Sequence, residues 1–125
     1  MKVIGVGGVF LKCRHEKETR EWYAQHLGIA LESWGAQFYH REDANPEAYT
    51  VLSFFKPDTD YFAPSQSGFM LNLRVDDLDG LVAKLRAEGV TLVGEPIAEA
   101  FGKFAWILDP EGNKLELWEQ PMPKK

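Results

Sequence analysis

Two short stretches of the chain alternate apolar residues with other residues. In GGVFLKC, residues 7–13, one face carries Val9, Leu11 and Cys13. In FMLNLRV, residues 69–75, one face carries Leu71, Leu73 and Val75. A period of two residues is typical of a half-buried strand, so each stretch is predicted to form one.

Each predicted strand is followed by a stretch with helical spacing. In HEKETREWYAQHLGI the apolar face carries Trp22, Tyr23, His26 and Leu27, and Gly28 is placed to end the helix in the left-handed conformation. In DDLDGLVAKLRAEGV the face carries Leu78, Leu81, Val82 and Leu85. Asp76 or Asp77 suits the N-cap of this second helix, and Gly89 suits its end.

The same order of elements occurs twice. Gly28-Ile29 after the first helix matches Gly89-Val90 after the second, which indicates an internal repeat. Further strands are predicted at ALESWGAQFYHR and AYTVLSFF in the first half, and at VTLVGEP, KFAWILD and NKLELWE in the second. The order is therefore βαβββ twice, which predicts an α+β fold.

The stretch from Lys56 to Gly68, KPDTDYFAPSQSG, is rich in Pro, Ser, Asp and Gly and reads as a connection between the halves. We predict one domain over residues 1–125. It divides into a first βαβββ module at 1–57, a connection at 58–68 and a second module at 69–125.

Composition and charge narrow the class of protein. With 125 residues and 45% hydrophobic residues, the chain suits one soluble globular domain. It has no apolar run of membrane-spanning length and only one cysteine, Cys13, so we predict a cytoplasmic protein without a membrane partner. The net charge of -5 and the lack of a Lys/Arg cluster disfavour nucleic acid as a partner.

Three stretches carry a resemblance to a known family: EWYAQHLGI, LRVDDLDGLVAKLRAEGV and, above all, FAWILDPEGNKLELWEQ. With these stretches the sequence resembles the vicinal oxygen chelate superfamily, the group of glyoxalases, bleomycin-resistance proteins and extradiol dioxygenases. The resemblance implies that the two modules pair their sheets into a curved trough around a ligand. It also implies that a homodimer often completes the cavities.

Enzymes of this superfamily hold a divalent metal in the trough, with a His or Gln on the first strand of each module and a Glu on a last strand. By the resemblance, Glu116 falls at the C-terminal acid, whereas Gly8 and Met70 stand at the two His positions. The chain's histidines lack the spacing of a chelate, so we predict no metal and no cofactor. A site built from the loop acids Glu42, Asp43 or Glu47 stays open.

Strand alternation predicts which side chains face the trough. They are Gly8, Phe10, Lys12, Met70, Asn72, Arg74, Lys114, Glu116 and Trp118. We expect an ion pair between Arg74 and Glu116, which lie on neighbouring strands if the resemblance holds. An Arg fork also suits an anionic ligand, so Lys12 and Arg74 are predicted anchors.

Aromatic residues are candidates for the walls of the pocket. The predicted ligand-binding set is Phe10, Lys12, Trp34, Asn72, Arg74, Phe101, Trp106 and Trp118. Glu116 is the candidate catalytic residue, because a carboxylate can act as a general base.

Three functions fit these residues. The leading hypothesis is a protein of this superfamily without the usual metal ligands, which binds or sequesters a small aromatic ligand; the cations favour an anionic one. The alternative is a metal-dependent glyoxalase-like lyase, isomerase or dioxygenase with an atypical metal site on Glu116. The third is an interaction module with a filled trough.

Overall fold

The computed structural model describes Met1 and residues 8–123. Its helices are α1 at Glu16–Leu27 and α2 at Leu78–Ala87, and a 3-10 turn occupies His40–Glu42. Its strands are β1 at Leu71–Arg74, β2 at Ile97–Glu99, β3 at Gly102–Leu108 and β4 at Lys114–Glu119. The fold class is α+β, as predicted.

The four strands form one mixed sheet in the order β1-β4-β3-β2. β1 runs parallel to β4, and the other two pairs are antiparallel. In this register Glu116 of β4 lies between Asn72 of β1 and Trp106 of β3. Glu116 is therefore central in the sheet.

The predicted end of α1 and the predicted start and end of α2 are confirmed. Gly28 caps α1 with φ of 66° and donates its N–H to the carbonyl of Ala24. The side chain of Asp77 caps α2 by accepting the N–H of Gly80. Gly89, with φ of 76°, follows the end of α2, where its missing Cβ permits the left-handed turn.

The core lies between the helices and one face of the sheet. Its fully buried side chains are Leu78, Leu85, Ile107, Leu115 and Leu117. α2 packs on β3 and β4, and α1 packs on α2. Because alternate residues of a strand face opposite ways, Lys114, Glu116 and Trp118 of β4 point away from this core.

The turn between β3 and β4 is fastened to α1. Asp109 accepts hydrogen bonds from the backbone N–H groups of Glu111 and Asn113 at 2.9 and 2.8 Å. It also accepts one from the hydroxyl of Tyr23 on α1, at 2.8 Å. Burial, followed by the charge of Asp109, raises the pKa of Tyr23, so this hydroxyl keeps its proton at physiological pH.

The first half departs from the predicted strand pattern. Between residues 8 and 57 the regular elements are α1 and the 3-10 turn, with one isolated bridge between Glu32 and Gly35. The strands predicted within residues 8–13, 30–41 and 48–55 are therefore wrong for this chain; Gly7 lies outside the described residues. A strand is stable only when neighbouring strands take its backbone hydrogen bonds and packing covers one of its faces. Phe10 and Phe54, at 98% and 87% exposed, have no such cover.

One strand of the second half is displaced. The stretch VTLVGEP contributes only an isolated bridge between Leu92 and Ile107, and β2 follows it at Ile97–Glu99. No helix among the described residues combines the length and the apolar character that crossing a membrane requires.

Candidate functional site

The face of the sheet opposite the helices, here called the open face, carries an aromatic row. It consists of Trp106, Phe104 and Trp118 from β3 and β4. The ring of Phe104 is nearly parallel to both neighbours, with ring centroids 6.5 Å from Trp106 and 6.1 Å from Trp118. Aromatic rings at such spacings offer a flat apolar wall.

The carboxylate of Glu116 lies beside this row and accepts three hydrogen bonds. Its Oε1 accepts from Nδ2 of Asn72 at 2.7 Å. Its Oε2 accepts from Nε1 of Trp106 at 2.8 Å and from the hydroxyl of Tyr61 at 2.5 Å. The residue is only 9% exposed, so these donors replace the water that a buried carboxylate loses.

Tyr61 belongs to the connection and lies over the open face. Its ring stacks on Phe55 with centroids 5.6 Å apart and meets Trp106 edge-on at 6.3 Å. Burial raises the pKa of Tyr61 to about 12, and the hydrogen bond and charge of Glu116 add to the effect. The hydroxyl is therefore a donor throughout the physiological range of pH.

Lys114 is a buried cation at the same place. Its Nζ donates to the backbone carbonyl of Tyr61 at 2.6 Å and lies 5.2 and 5.7 Å from the ring centroids of Tyr61 and Trp106. Burial lowers the pKa of Lys114, and the negative charge of Glu116 opposes that change. Lys114 and Glu116 thus place a cation and an anion next to the aromatic rings.

The predicted ion pair between Arg74 and Glu116 is wrong. Arg74 instead donates from Nη1 to Oδ2 of Asp43. The register explains the difference, because Asn72 lies opposite Glu116 and Arg74 lies opposite Trp118. The hydrogen bond from Arg74, together with the N–H of Asn45, lowers the pKa of Asp43.

A groove of about 420 Å³ lies beside Arg74. The end of α1, residues 36–39 and β1 line it, and Glu116 does not. This groove is therefore separate from the aromatic row.

The remaining predicted ligand residues divide into two groups. Asn72, Trp106 and Trp118 lie with Glu116 on the open face, and Nε1 of Trp118 donates to the carbonyl of Phe101 at 2.8 Å. The side chains of Phe10, Trp34 and Phe101 are 98%, 67% and 68% exposed. Lys12 is also exposed, and in the part of the chain that the structure describes no hydrogen bond joins it to Glu116.

Sequence reasoning missed Tyr61 and left Lys114 outside the ligand-binding set. Lys114 was assigned to the open face by alternation alone. Tyr61 comes from a segment without periodicity, and the one available signal was the adjacent pair Tyr61-Phe62 within an otherwise polar connection. A large aromatic pair in such a segment indicates a contact with the body of the fold.

The side chains around Glu116 do not fit the divalent metal that the superfamily's enzymes use. Its neighbours Tyr61, Asn72 and Trp106 turn O–H and N–H donors toward it, and an indole N–H cannot be a metal ligand. Within residues 8–123 no three His, Cys, Asp or Glu side chains converge as a metal site requires. Glu116 is held by protein donors instead.

Known structures share this fold. TnmS3, an antibiotic binding protein from Streptomyces sp. CB03234, is 24% identical over 97% of this chain and 99% of that chain, with a TM-score of 0.61. A member of the glyoxalase/bleomycin resistance protein/dioxygenase superfamily from Sphaerobacter thermophilus is 19% identical over 96% of this chain and 98% of that chain, with a TM-score of 0.52.

A glyoxalase/bleomycin resistance protein from the same Streptomyces strain is 36% identical, but the match covers 42% of this chain and 46% of that chain, with a TM-score of 0.38. Comparison with curated proteins gave no match. The sequence profile of the glyoxalase-like domain matches residues 8–118. The chain therefore belongs to the glyoxalase-like domain family, within the vicinal oxygen chelate superfamily.

Proposed function

We propose that this protein binds a planar aromatic small molecule on its open face. The observation that carries the proposal is the row of nearly parallel rings, Trp106, Phe104 and Trp118, beside the buried polar groups of Glu116 and Lys114. Pockets for small molecules combine apolar or aromatic walls with a few placed polar groups. The likeness in fold to an antibiotic-binding protein supports the same class of function.

The charges on the open face favour a ligand that is not a simple anion. Arg74 is engaged by Asp43, and the cation nearest the aromatic row, Lys114, has Glu116 beside it. A free anion would meet the carboxylate as well as the ammonium. We therefore propose a neutral aromatic ligand with polar substituents, in place of the anionic one that the sequence favoured.

The same hydrogen bonds weigh against Glu116 as a general base. Three protein donors take most of the acceptor capacity of its carboxylate. A substrate proton would have to replace one of them, so binding accounts for the geometry more directly than catalysis does.

A second copy of the chain is the proposed partner of the first half. Its exposed apolar side chains include Phe10, Phe38, Leu52 and Phe54, each at least 70% exposed. Monomeric proteins rarely expose so many large apolar groups. β1 also lies at an edge of the sheet, where a further strand can pair. Analytical ultracentrifugation tests this: Phe54→Asp should lower the dimer fraction, and Lys56→Asp, at a neighbouring exposed position, should not.

Fluorescence titration with a panel of planar aromatic compounds tests the binding function. Phe104→Ala removes the central ring of the row without removing a hydrogen bond, so affinity should fall by about tenfold or more. Phe38→Ala is the matched control, because Phe38 is 71% exposed and lies outside the row. Equal affinities for both variants and the wild type would count against the open face as the binding surface.

A further inference from the structure

Tyr61 occupies the open face in the way that a bound ligand would. Its hydroxyl donates to Glu116, its ring stacks on Phe55 and meets Trp106 edge-on, and the ammonium of Lys114 lies 5.2 Å from its ring centroid. The phenol therefore has one polar anchor and aromatic contacts around its ring. These are the features by which a protein recognises a small aromatic molecule.

The anchor for the phenol is built by the sheet and is independent of Tyr61. Glu116 lies on β4, and its other two donors, Asn72 and Trp106, lie on β1 and β3 at either side. Both donors remain in place when Tyr61 is absent, because strand pairing holds them. The carboxylate would then present a free acceptor position on Oε2 toward the open face.

Of the three side chains that donate to Glu116, Tyr61 is the one that does not lie on the sheet. It comes from the connection and is 37% exposed. Lys114, the first residue of β4, attaches the connection by donating to the carbonyl of Tyr61. Ser67 attaches it to the preceding turn, because its hydroxyl donates to Asn113 at 2.8 Å. Moving Tyr61 off the face breaks these side-chain contacts and leaves strand pairing intact.

We propose that the position of the Tyr61 ring is a subsite for a hydroxyl-bearing aromatic ring, and that Tyr61 is its intramolecular occupant, which the ligand displaces. The inference rests on the proposed function, since it names the chemical class that the open face takes. A ligand carboxylate is repelled by Glu116. An aryl-ammonium is disfavoured by Lys114, which already places a cation near the ring. A neutral phenol matches both groups.

An intramolecular occupant lowers the apparent affinity for free ligand. A tethered group competes at an effective concentration of about millimolar, so small phenols bind the intact protein weakly. Removal of the Tyr61 side chain abolishes this competition. The vacated subsite should then accept p-cresol, which is the tyrosine side chain with a hydrogen in place of the backbone.

The experiment compares Tyr61→Ala with the wild type by calorimetric titration with p-cresol and with toluene. We expect p-cresol to bind Tyr61→Ala at least about tenfold more tightly than the wild type, and toluene to bind more weakly because it offers no donor to Glu116. Tyr39→Ala is the matched control, since Tyr39 is 45% exposed and lies outside the aromatic row. A p-cresol affinity that is the same in all three proteins, or no stronger than that of toluene, overturns the subsite.

Tyr61→Phe keeps the proposal testable if Tyr61→Ala does not fold. This variant retains the ring and loses the hydrogen bond to Glu116, so a hydroxyl-bearing planar aromatic compound should displace the ring more easily and bind about tenfold more tightly than to the wild type. Equal affinity overturns the proposal. If planar aromatics bind the wild type and lose affinity in Phe104→Ala while neither Tyr61 variant gains any, the phenol subsite fails and the binding function stands.

Discussion

The two halves of the chain differ in whether their alternating apolar residues form paired, buried strands. In the second half, β3 and β4 pair and bury Leu115 and Leu117 at 1% and 0% exposure. In the first half, Leu52 and Phe54 have a comparable alternation and are 70% and 87% exposed. A periodic pattern thus yields a strand only where the chain also supplies a neighbour.

Turn chemistry accounts for part of the difference. In the second half, the carboxylate of Asp109 accepts backbone N–H groups two and four residues further on, which shapes the turn that brings β4 beside β3. In the first half, Asn45 also bonds to a backbone N–H two residues on, that of Glu47, but its amide donates to the carbonyl of Pro121. That turn fastens the first half to the C-terminal segment and joins no strand pair.

The largest expected effect is on the free energy of unfolding. Leu117→Ala removes a fully buried side chain and should cost about 2–5 kcal/mol. Leu52→Ala, in the first half, should change it by less than about 0.5 kcal/mol, as for other exposed positions in a monomer. Urea denaturation at low protein concentration measures both. A loss for Leu52→Ala as large as that for Leu117→Ala would mean that the first half has a core of its own.

A smaller loss of unfolding free energy is expected when the hydrogen bond between α1 and the second half is removed. Tyr23→Phe removes the hydroxyl that donates to buried Asp109, so it should destabilise the fold by about 1–3 kcal/mol. Tyr49→Phe is the control, because Tyr49 is 49% exposed. Similar midpoints in urea for the two variants would show that the bond to Asp109 does not hold the halves together.

The N-cap of α2 should contribute about 1 kcal/mol. Asp77→Ala removes the side chain that accepts the N–H of Gly80, whereas Asp76→Ala leaves that bond in place. Thermal unfolding of the two variants isolates the cap, since both lose one negative charge beside the helix. If Asp76→Ala lowers Tm as much as Asp77→Ala, the effect is electrostatic and the cap contributes nothing.

Much of the second half could be predicted from its sequence, because local signals agree there. The periodicity of Leu71 and Leu73 and the N-cap at Asp76 or Asp77 each act over a few residues. The first corresponds to β1, and the cap is Asp77. The predicted strands of the first half depend on partners far along the chain or on another chain. Alternation carries no information about such partners.

The candidate site was also predictable only where local signals determine the positions of its side chains. Alternation correctly predicted that Asn72, Glu116 and Trp118 share one face of the sheet. Alternation does not fix the register between parallel strands, so Arg74 was predicted to pair with Glu116. In the structure Asn72 is the residue that lies opposite Glu116. Tyr61 was missed because an aperiodic segment carries no signal for where a side chain will lie. The position of a side chain in such a connection is therefore known only from the structure.

The smallest expected effect concerns the contact between the connection and the second half. The pKa of Tyr61 is raised from 10.0 to about 12, chiefly by burial and then by Glu116. Because the folded value lies above the unfolded one, the stabilisation from the protonated hydroxyl is complete below pH 10.0 and is lost as pH rises toward about 12. The stability difference between the wild type and Tyr61→Phe should therefore be constant from neutral pH and shrink across this window.

Paired urea titrations of the wild type and Tyr61→Phe measure that difference, and other alkaline effects cancel between them. Tyr61 is 37% exposed, so solvent screening keeps the change smaller than the one expected for Asp77→Ala. The difference in tyrosinate absorbance between the two proteins should have its midpoint near pH 12. A midpoint near 10.0 would mean that the hydroxyl is in water. The connection would then lie apart from Glu116, and the second half would present its open face without an occupant.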